Sequence, residues 1–407
     1  MKILMVNKYF YLRGGSDKVF FDEAALLQSK GHEVGFFSMQ HPRNFPSRYA
    51  PDFVSRVDYA EKMGLLRRWQ AAGRILYSLE AKRKLRRLLA RERFDIVHLH
   101  NIYHQLSPSI LDAVAEAGLP AVMTLHDYKM VCPAYTLFSR GRVCERCSQG
   151  RYFHVLLGRC VQDSYGKSLV CLAEMYLHHR LLGLYGKVAR FIAPSQFMKN
   201  KLQDLGFPGQ VSHVPNFVNA EAYLPHFGGE EQSLVYFGRL SKEKGLPTLL
   251  QAMAGLPATL KLIGEGPERP RLAETVRQAR LANVRFLGYR QGASLWAEIR
   301  RSRFTVLPSE WYENFPLAVL ESFALGKPVL GARIGGIPEL VQDGETGLTF
   351  EPGNVKDLRE KILYLLNHPH LLMEMGRKGR ELAEKEFNPQ KHYESLMSIY
   401  RFVSNFG

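Results

Sequence analysis

Short apolar runs alternate along the chain with longer segments of mixed polarity, and polar or glycine-containing turns separate the two. The apolar runs lie at residues 2–6, 33–38, 96–100, 121–125, 190–193 and 211–216, and then at 234–238, 260–263, 284–287, 304–307, 328–330 and 348–350. Each run predicts a buried strand, and the segments between them, such as 17–29, predict helices. Strands that alternate with helices form parallel sheets, which bind ligands at the carboxyl ends of their strands.

The size and charge of the chain narrow the picture. Its 407 residues exceed one ordinary core and predict two domains. The formal net charge of +16 favours anionic partners such as nucleotide phosphates, a lipid surface or nucleic acid. No run approaches 18 uncharged apolar residues, and the first apolar run is too short for a signal peptide. We therefore expect a cytoplasmic protein without a transmembrane helix.

The segment 309–321, which follows the apolar run 304–307, concentrates candidate chemistry. Glu313 is predicted to lie in the loop before a helix, and Pro316 in the first helical turn, where its missing N–H has no partner. Glu321 then lies inside that helix, about 7 to 8 Å along its axis. The free N–H groups from Asn314 to Leu317 favour an anion. Acidic capping of a helix is the simpler reading, but the layout also suits a hydroxyl-rich ligand with a phosphate tail.

A second string, 335–341, follows the next predicted strand and reads Gly-Gly-Ile-Pro-Glu-Leu-Val. Together the two strings resemble the retaining, nucleotide-sugar-dependent glycosyltransferases of family 4, whose two glutamates have the spacing of Glu313 and Glu321. The resemblance covers residues 190–352 closely and the first 130 more loosely. It implies an α/β GT-B fold, in which two Rossmann-like, doubly wound domains face each other across a cleft.

The same resemblance implies a division of the chain. Residues 1–217 would form the acceptor-binding domain, with a cysteine-containing insertion at about 128–185. Residues 218–385 would form the donor-binding domain, and a helix at about 386–407 would pack back on the first domain.

Two cations follow the predicted strand 234–238. Arg239 offers a planar fork that suits a diphosphate, and Lys244 adds a compact charge that would help neutralise a leaving nucleoside diphosphate. A basic surface turn is the alternative, but the family has a matching pair of cations here. After the strand 284–287, Gly288 and Tyr289 match the family's nucleobase pocket. No Asp-x-Asp occurs, so the two cations would take the place of a metal ion.

In the first half, Gly14 and Gly15 separate a predicted strand from a predicted helix, where glycines let a phosphate or sugar approach the backbone. A tight turn is the alternative reading. His126 follows the strand 121–125 and stands beside an aspartate, at the sheet edge where ligands bind. The resemblance places the glycine pair at the cleft and His126 near the transferred sugar.

The roles that the resemblance implies are these. Glu313 would hold the hydroxyls of the donor sugar and Glu321 those of the ribose, while Asn314, Phe315, Pro316 and Leu317 would line the sugar and phosphates. A UDP- or GDP-sugar would donate to a glycan or lipid-linked acceptor with retention, as in bacterial cell-surface polysaccharide or glycoconjugate biosynthesis, and no cofactor would be required for catalysis. A nucleotide-sugar epimerase and a non-catalytic glycan- or lipid-binding protein are the alternatives.

Four cysteines fall within the predicted insertion, and they are Cys132, Cys144, Cys147 and Cys160. The middle two form a C-x2-C pair, and four thiolates at this spacing could close a tetrahedral structural zinc site. Reduced free cysteines are the alternative, since a second C-x2-C pair is missing.

Basic residues and leucines at helical spacing fill the segment 67–93. Such a helix could lie on an anionic membrane, which would place the protein at the cytoplasmic face of the inner membrane. Alternatively, the basic face is solvated and the leucines enter the core. Few aromatic residues are interleaved, so we expect no nucleic-acid partner.

Overall fold

The computed structural model describes residues 1–57 and 64–404, with the side chains of 65–69 left out. Arg67 and Arg68 of the basic segment, and residues 405–407 of the predicted last helix, therefore lie outside the described side chains or residues. Two six-stranded parallel sheets dominate the described chain. Every strand predicted from the apolar runs is present, with its ends within about three residues of the prediction.

The first sheet has the strand order β2-β1-β3-β4-β7-β8. Its strands are β1 Lys2–Val6, β2 Glu33–Phe37, β3 Ile96–Leu99, β4 Ala121–Thr124, β7 Arg190–Ala193 and β8 Val211–His213. A separate antiparallel pair, β5 Phe138–Ser139 and β6 Arg142–Val143, lies between β4 and β7 in the chain. The chain adds β2 on one side of β1 and then β3 on the other side, so the order of strand addition reverses between β1 and β3. A ligand crevice forms at such a switch point.

The second sheet has the order β11-β10-β9-β12-β13-β14, in which the reversal falls between β9 and β12. Its strands are β9 Ser233–Phe237, β10 Thr259–Ile263, β11 Val284–Gly288, β12 Phe304–Leu307, β13 Val329–Ala332 and β14 Gly347–Phe350. Val235 of β9 pairs with Lys261 of β10 on one side and with Thr305 of β12 on the other. The loops after β9 and β12 therefore leave the sheet side by side.

Helices connect the strands. The helices between β1 and β8 in the chain are α1 Gly15–Ser29, α2 Leu65–Leu76, α3 Leu79–Arg91, α4 Ile110–Glu116, α5 His154–Leu157, α6 Tyr165–Tyr176 and α7 Gln196–Asp204. Those that follow are α8 Leu246–Ala252, α9 Arg269–Gln278, α10 Ala293–Arg301, α11 Leu317–Ala324, α12 Ile337–Leu340, α13 Val355–Asn367, α14 Pro369–Lys385 and α15 Pro389–Ser404.

Two helix starts differ from the prediction. Helix α1 begins at Gly15, two residues early, so Gly14 is its N-cap. Pro316 is the N-cap of α11 and has an extended backbone with ψ of 116°, whereas we expected it in the first turn. Proline fits either position, because both lack an N–H partner within the helix.

Each sheet is the centre of a separate apolar core. The first core draws on side chains from Ile3 to Val214, and the second on side chains from Val218 to Ala383. Helix α15 contributes to the first core through Leu396, Met397, Tyr400 and Val403. The last helix thus crosses back from the second sheet to the first.

The segment between β4 and β7 is irregular. Of the ten non-glycine residues with positive φ in the described chain, seven lie between 135 and 163, so local propensity does not fix this backbone. Across residues 1–57 and 64–404, none of the helices is long and apolar enough to span a bilayer.

Candidate active site

The loops after β9 and β12 meet at the switch point of the second sheet. Gly245 closes the first loop with φ of 63°, and a Cβ there would lie 1.8 Å from the carbonyl oxygen of Pro308 in the second loop. The backbone N–H of Glu310 donates to the carbonyl of Glu243 at 2.9 Å. Only glycine permits this close approach, which holds the predicted cation loop against the predicted acid loop.

Half-buried Lys244 and buried Glu313 form an ion pair at this junction. The Lys244 ammonium donates to Glu313 Oε1 at 2.6 Å, and Ser309 Oγ donates to the same oxygen at 2.5 Å. Glu313 is only 5% exposed. Burial by itself would raise the pKa of this carboxyl, but Lys244 and the hydrogen-bond donors around it bring the pKa below its ordinary value. Glu313 is therefore ionised at neutral pH.

The Gly335–Gly336 pair supports the acid loop from behind. A Cβ on Gly335 would lie 2.4 Å from the carbonyl oxygen of Glu313, and one on Gly336 would lie 2.0 Å from that of Asn314. The Gly336 N–H donates to the Glu313 carbonyl at 2.7 Å. The two strings that carried the family resemblance are thus one packed unit.

Asn314 connects the acid loop to His126 in the first domain. Its side-chain amide donates to the backbone carbonyl of His126 at 2.5 Å. Asn314 is 9% exposed, and its Oδ1 is buried without a hydrogen-bond partner among the described residues. A buried acceptor without a partner is costly, so Oδ1 is available to a ligand donor.

His126 is half-buried, and its Nε2 lies 2.9 Å from Nδ1 of His100. The two rings stack with centroids 5.1 Å apart. Burial, followed by the neighbouring His100, holds the pKa of His126 well below its ordinary value. His126 is therefore a neutral imidazole, suited to hydrogen bonding rather than to carrying charge.

The start of α11 faces the start of α1 across the cleft. A Cβ on Gly15 would lie 3.8 Å from Leu317 Cδ1, so the predicted glycine turn and the predicted sugar-lining segment meet. Glu321 is half-buried on α11; burial raises its pKa, and Lys18 of α1 opposes that rise. The Phe315 ring packs against Phe387, 5.3 Å between centroids, so only the backbone of Phe315 can line the cleft.

Other predicted donor residues are more open. Gly14 and Arg239 are exposed, and Tyr289 is 65% exposed. Gly288 has φ of 68°, and its carbonyl accepts from the Gly264 N–H at 2.8 Å. Tyr289 follows β11 directly, and its hydroxyl donates to Gln291 Oε1 at 3.2 Å.

Contacts between the two halves include groups that sequence reasoning missed. Glu339 of α12 accepts the backbone N–H groups of Gln196 and Phe197, at 2.9 and 2.5 Å, at the start of α7. Tyr312 donates its hydroxyl to Glu145 of the insertion at 2.7 Å. Glu145 lies between Cys144 and Cys147 of the C-x2-C pair. The insertion therefore contacts Tyr312, the residue next to Glu313. Glu339 stood inside the family string, which was the available signal.

The four cysteines of the insertion are free thiols. Their sulfurs are not gathered within 4.8 Å of one another as three or more, in the part of the chain that the structure describes. Burial raises the pKa of Cys132 to about 11, and burial together with the other three thiols raises the pKa of Cys147 further. The thiols are near enough to influence one another, and the zinc site stays a prediction.

The basic helix α3 turns its leucines inward. Leu85 and Leu88 are fully buried, whereas Leu79 is 65% exposed. Several cations of α3 have acidic partners, such as Arg86 with Glu116 and Arg91 with Asp52. The described part of this helix therefore has no continuous apolar face for a bilayer, which favours the alternative of a solvated basic face.

Comparison with known proteins places the whole chain. The sequence matches the family described as Glycosyltransferase Family 4 over residues 13–222 and the family described as Glycosyl transferases group 1 over residues 225–382. An uncharacterized glycosyltransferase of Methanocaldococcus jannaschii is 25% identical over 405 residues, which cover 100% of this chain and 99% of that protein.

Solved structures share the fold. Sucrose-phosphate synthase from Thermosynechococcus elongatus has a TM-score of 0.75 and 19% identity, with 100% of both chains covered. HepE from Anabaena, in complex with UDP and glucose, has a TM-score of 0.66 and 18% identity, with 98% of this chain and 99% of that chain covered. The predicted GT-B fold is confirmed. The chain belongs to glycosyltransferase family 4 and is a hexosyltransferase.

Proposed function

We propose that the protein transfers a hexose from a UDP- or GDP-sugar to a hydroxyl of a glycan or lipid-linked acceptor, with retention of anomeric configuration, in bacterial cell-surface polysaccharide or glycoconjugate biosynthesis. The observation that carries the proposal is the ion pair between half-buried Lys244 and buried Glu313, which lies at the switch point of the second sheet. Asn314, the residue after Glu313, joins this site to His126 of the first domain. The complex of HepE with UDP and glucose supports this class of donor.

The charges of the pair suit the two ends of such a donor. Glu313 is ionised and can accept hydrogen bonds from sugar hydroxyls, while Lys244 has two further N–H groups for a diphosphate. Exposed Arg239 leaves the same loop and can add a bidentate contact. Half-buried Glu321 would accept from the ribose. The cations would stabilise the negative charge that grows on the departing diphosphate.

The transfer would proceed on one face of the sugar. The bond from the anomeric carbon to the diphosphate oxygen breaks, and the acceptor oxygen bonds to that carbon from the same side. The acceptor proton passes to the departing phosphate oxygen, so no nucleophilic carboxylate is needed. Neutral His126 would hold a sugar hydroxyl during this step. Closure of the cleft would exclude water and limit hydrolysis of the donor.

The test is transfer by the Glu313→Gln variant. Loss of the charge should lower kcat by roughly 100- to 1,000-fold, as when one preorganised group at a transition state is removed. Glu360→Gln, on the exposed face of α13, is the matched control and should leave transfer unchanged. Donors would be screened by thermal shift, and product configuration read by NMR. Full transfer by Glu313→Gln, or an inverted product, contradicts the proposal; an epimerised donor without acceptor indicates an epimerase.

We also propose that zinc holds the insertion through Cys132, Cys144, Cys147 and Cys160. The concentration of positive φ angles between residues 135 and 163 supports this, because such a backbone needs a constraint other than local propensity. Metal analysis should find one zinc ion per chain. The ion should be lost in Cys147→Ser and kept in Cys171→Ser, whose thiol is also buried. Purified protein without stoichiometric zinc contradicts this.

We further propose a peripheral position on the cytoplasmic face of the inner membrane. Several large apolar side chains of the insertion are exposed, among them Leu157, Leu169 and Leu181 at 65%, 54% and 78%. Apolar side chains on a strongly basic protein suit an anionic bilayer. Flotation should require vesicles with anionic lipid and weaken with salt. Flotation that is indifferent to both would exclude this position.

A further inference from the structure

A buried line of polar side chains leads from the first core to His126. Glu23 of α1 is 1% exposed, and His98 and His100, at the end of β3, are fully buried. Glu23 Oε1 lies 2.8 Å from His98 Nδ1 and 3.6 Å from His100 Nε2. On its other side, His100 Nδ1 lies 2.9 Å from His126 Nε2. None of these spacings was predicted from the sequence.

The charge states along this line are fixed by their surroundings. Burial alone would raise the pKa of Glu23, but the histidines around it hold that pKa well below its ordinary value, so the carboxylate is ionised. Burial lowers the pKa of His100 to about 4, so its ring is neutral and carries one N–H. His100 is therefore in one of two tautomers, with its proton on either Nδ1 or Nε2.

The carboxylate of Glu23 determines which tautomer of His100 is favoured. At 3.6 Å the contact between Glu23 Oε1 and His100 Nε2 is longer than a hydrogen bond, so it acts through charge. An N–H directed at the carboxylate is attracted, whereas a lone pair there would be repelled. His100 Nε2 thus carries the proton, and His100 Nδ1 is an acceptor. Across the 2.9 Å contact, His126 Nε2 must then be the donor.

We propose that Glu23 and His100 are positioning residues that fix the tautomer of His126. His126 carries its proton on Nε2, and its Nδ1 presents a lone pair that accepts a hydrogen bond from a sugar hydroxyl. The inference rests on the proposed function, because it assigns a substrate contact to His126. It adds to that function the direction of the hydrogen bond: the substrate hydroxyl donates, and the imidazole accepts.

The same buried network also fastens helix α15, and this structural role has to be separated from positioning. Tyr400 of α15 contacts His98 Nδ1 at 2.6 Å, and His392 contacts Glu23 Oε2 at 3.3 Å. Tyr400→Phe removes the hydroxyl that contacts His98, and it leaves in place the contacts of His100 with Glu23 and with His126. This variant is therefore the matched control for a purely structural effect.

The first measurement is ¹⁵N NMR of the histidine rings in the full chain, with His126 assigned by its absence in His126→Gln. We expect the wild-type His126 to have a protonated Nε2 and a bare Nδ1. In Glu23→Gln the side chain keeps its size but loses its charge, so the Nδ1–H form of His126 should gain population. A wild-type His126 with its proton on Nδ1 overturns the inference whether or not Glu23→Gln folds.

The second measurement is transfer with the donor and acceptor that the wild type uses. Glu23→Gln and His100→Gln should lower kcat by roughly 10- to 100-fold, the lower part of the range for a positioned hydrogen-bonding group. The KM for the donor should stay within about twofold, and Tyr400→Phe should keep wild-type kcat. An equal loss in Tyr400→Phe, or wild-type kcat in both test variants, overturns the inference.

These outcomes are separable from failure of the proposed function. A wild type that transfers no sugar, or a Glu313→Gln variant that transfers fully, refutes the proposed function while the NMR tautomer still stands or falls by itself. A stoichiometric metal ion that is lost in both Glu23→Gln and His100→Gln and kept in Tyr400→Phe also overturns the inference, because Glu23 and His100 would then be ligands of the ion.

Discussion

The two halves of the cleft are assembled in different ways. In the second domain, Lys244 and Glu313 lie at the ends of neighbouring strands, β9 and β12, and glycine turns press their loops together. In the first domain, polar side chains meet from distant helices, as Glu23 of α1 and His392 of α15 do across 369 positions. The comparison shows that strand order and glycine turns assemble the second-domain side of the cleft, whereas the first-domain side depends on how helices pack.

The largest expected effect tests the first domain, which we call the helix-built half; the second domain is the strand-built half. Lys129 donates to Glu174 of α6 at 2.6 Å, and both side chains are at most 1% exposed. Glu174→Gln leaves the Lys129 charge buried and unpaired, which should lower the free energy of unfolding by about 3–5 kcal/mol. Chemical denaturation measures it. Lys129→Met combined with Glu174→Leu is the control and should recover most of the loss; equal stability of wild type and Glu174→Gln would contradict the prediction.

The same pair gives a pH dependence with a defined sign. Burial would raise the pKa of Glu174, but Lys129 and His104 hold it well below its ordinary value of 4.5. A carboxyl whose pKa is depressed by folding contributes stability that is present above pH ~4.5 and is lost as the pH falls toward the folded-state pKa. The wild type should therefore lose stability between about pH 4.5 and 2 more steeply than the double variant does.

A smaller effect is expected in the strand-built half, where Lys244→Ala removes a charge-assisted contact. Donor affinity should weaken by about 1.5–3 kcal/mol, or roughly 10- to 150-fold, in a titration with the nucleotide sugar. Without Lys244, burial raises the pKa of Glu313, so the acidic limb of the transfer profile should move to higher pH. Lys242→Ala in the same turn is the control, because Lys242 is exposed. Unchanged affinity in Lys244→Ala would refute the assignment.

The difference between the halves also explains what the sequence could predict. The apolar runs located the strands, and the motifs after β9 and β12 assigned Lys244 and Glu313 to one ligand site, although the direct ion pair between the two side chains was not predicted. Glu23, His392 and Glu174 gave no such signal. Their partners depend on helix packing over long separations, which neither periodicity nor residue type encodes.

The two glycine pairs sharpen the comparison further, because they looked alike in the sequence and differ in the fold. A Cβ on Gly336 would meet the Asn314 carbonyl oxygen at 2.0 Å, so Gly336→Ala should cost about 1–3 kcal/mol of stability, as overpacking does. A Cβ on Gly14 would meet nothing within 4 Å, and its φ of −168° is open to any residue. Gly14→Ala should therefore change stability by less than about 0.5 kcal/mol.

Donor titration gives this glycine pair a second readout. If Gly14 serves close approach of the donor, Gly14→Ala should weaken donor binding while thermal unfolding stays at the wild-type temperature. Destabilisation by Gly14→Ala equal to that by Gly336→Ala would remove the distinction between a packing glycine and a ligand-facing one.

The smallest expected effect lies where the two halves touch, at Tyr312 and Glu145. Tyr312→Phe removes one hydrogen bond of 2.7 Å, and Lys201 still holds Glu145 at 2.9 Å. A neutral donor to a carboxylate that keeps another partner should contribute near the lower end of about 0.5–1.5 kcal/mol. Tyr364→Phe, on α13, is the control for loss of a hydroxyl elsewhere.

The informative quantity is how this small energy divides between stability and activity. If the insertion positions the acid loop, Tyr312→Phe should lower kcat/KM by about two- to tenfold, because Tyr312 precedes Glu313 directly and 1.4 kcal/mol corresponds to a factor of ten. If the two halves are assembled independently, the free energy of unfolding should fall slightly and kcat/KM should not change. A loss of activity together with unchanged stability would show that the helix-built half acts on the strand-built half through this contact.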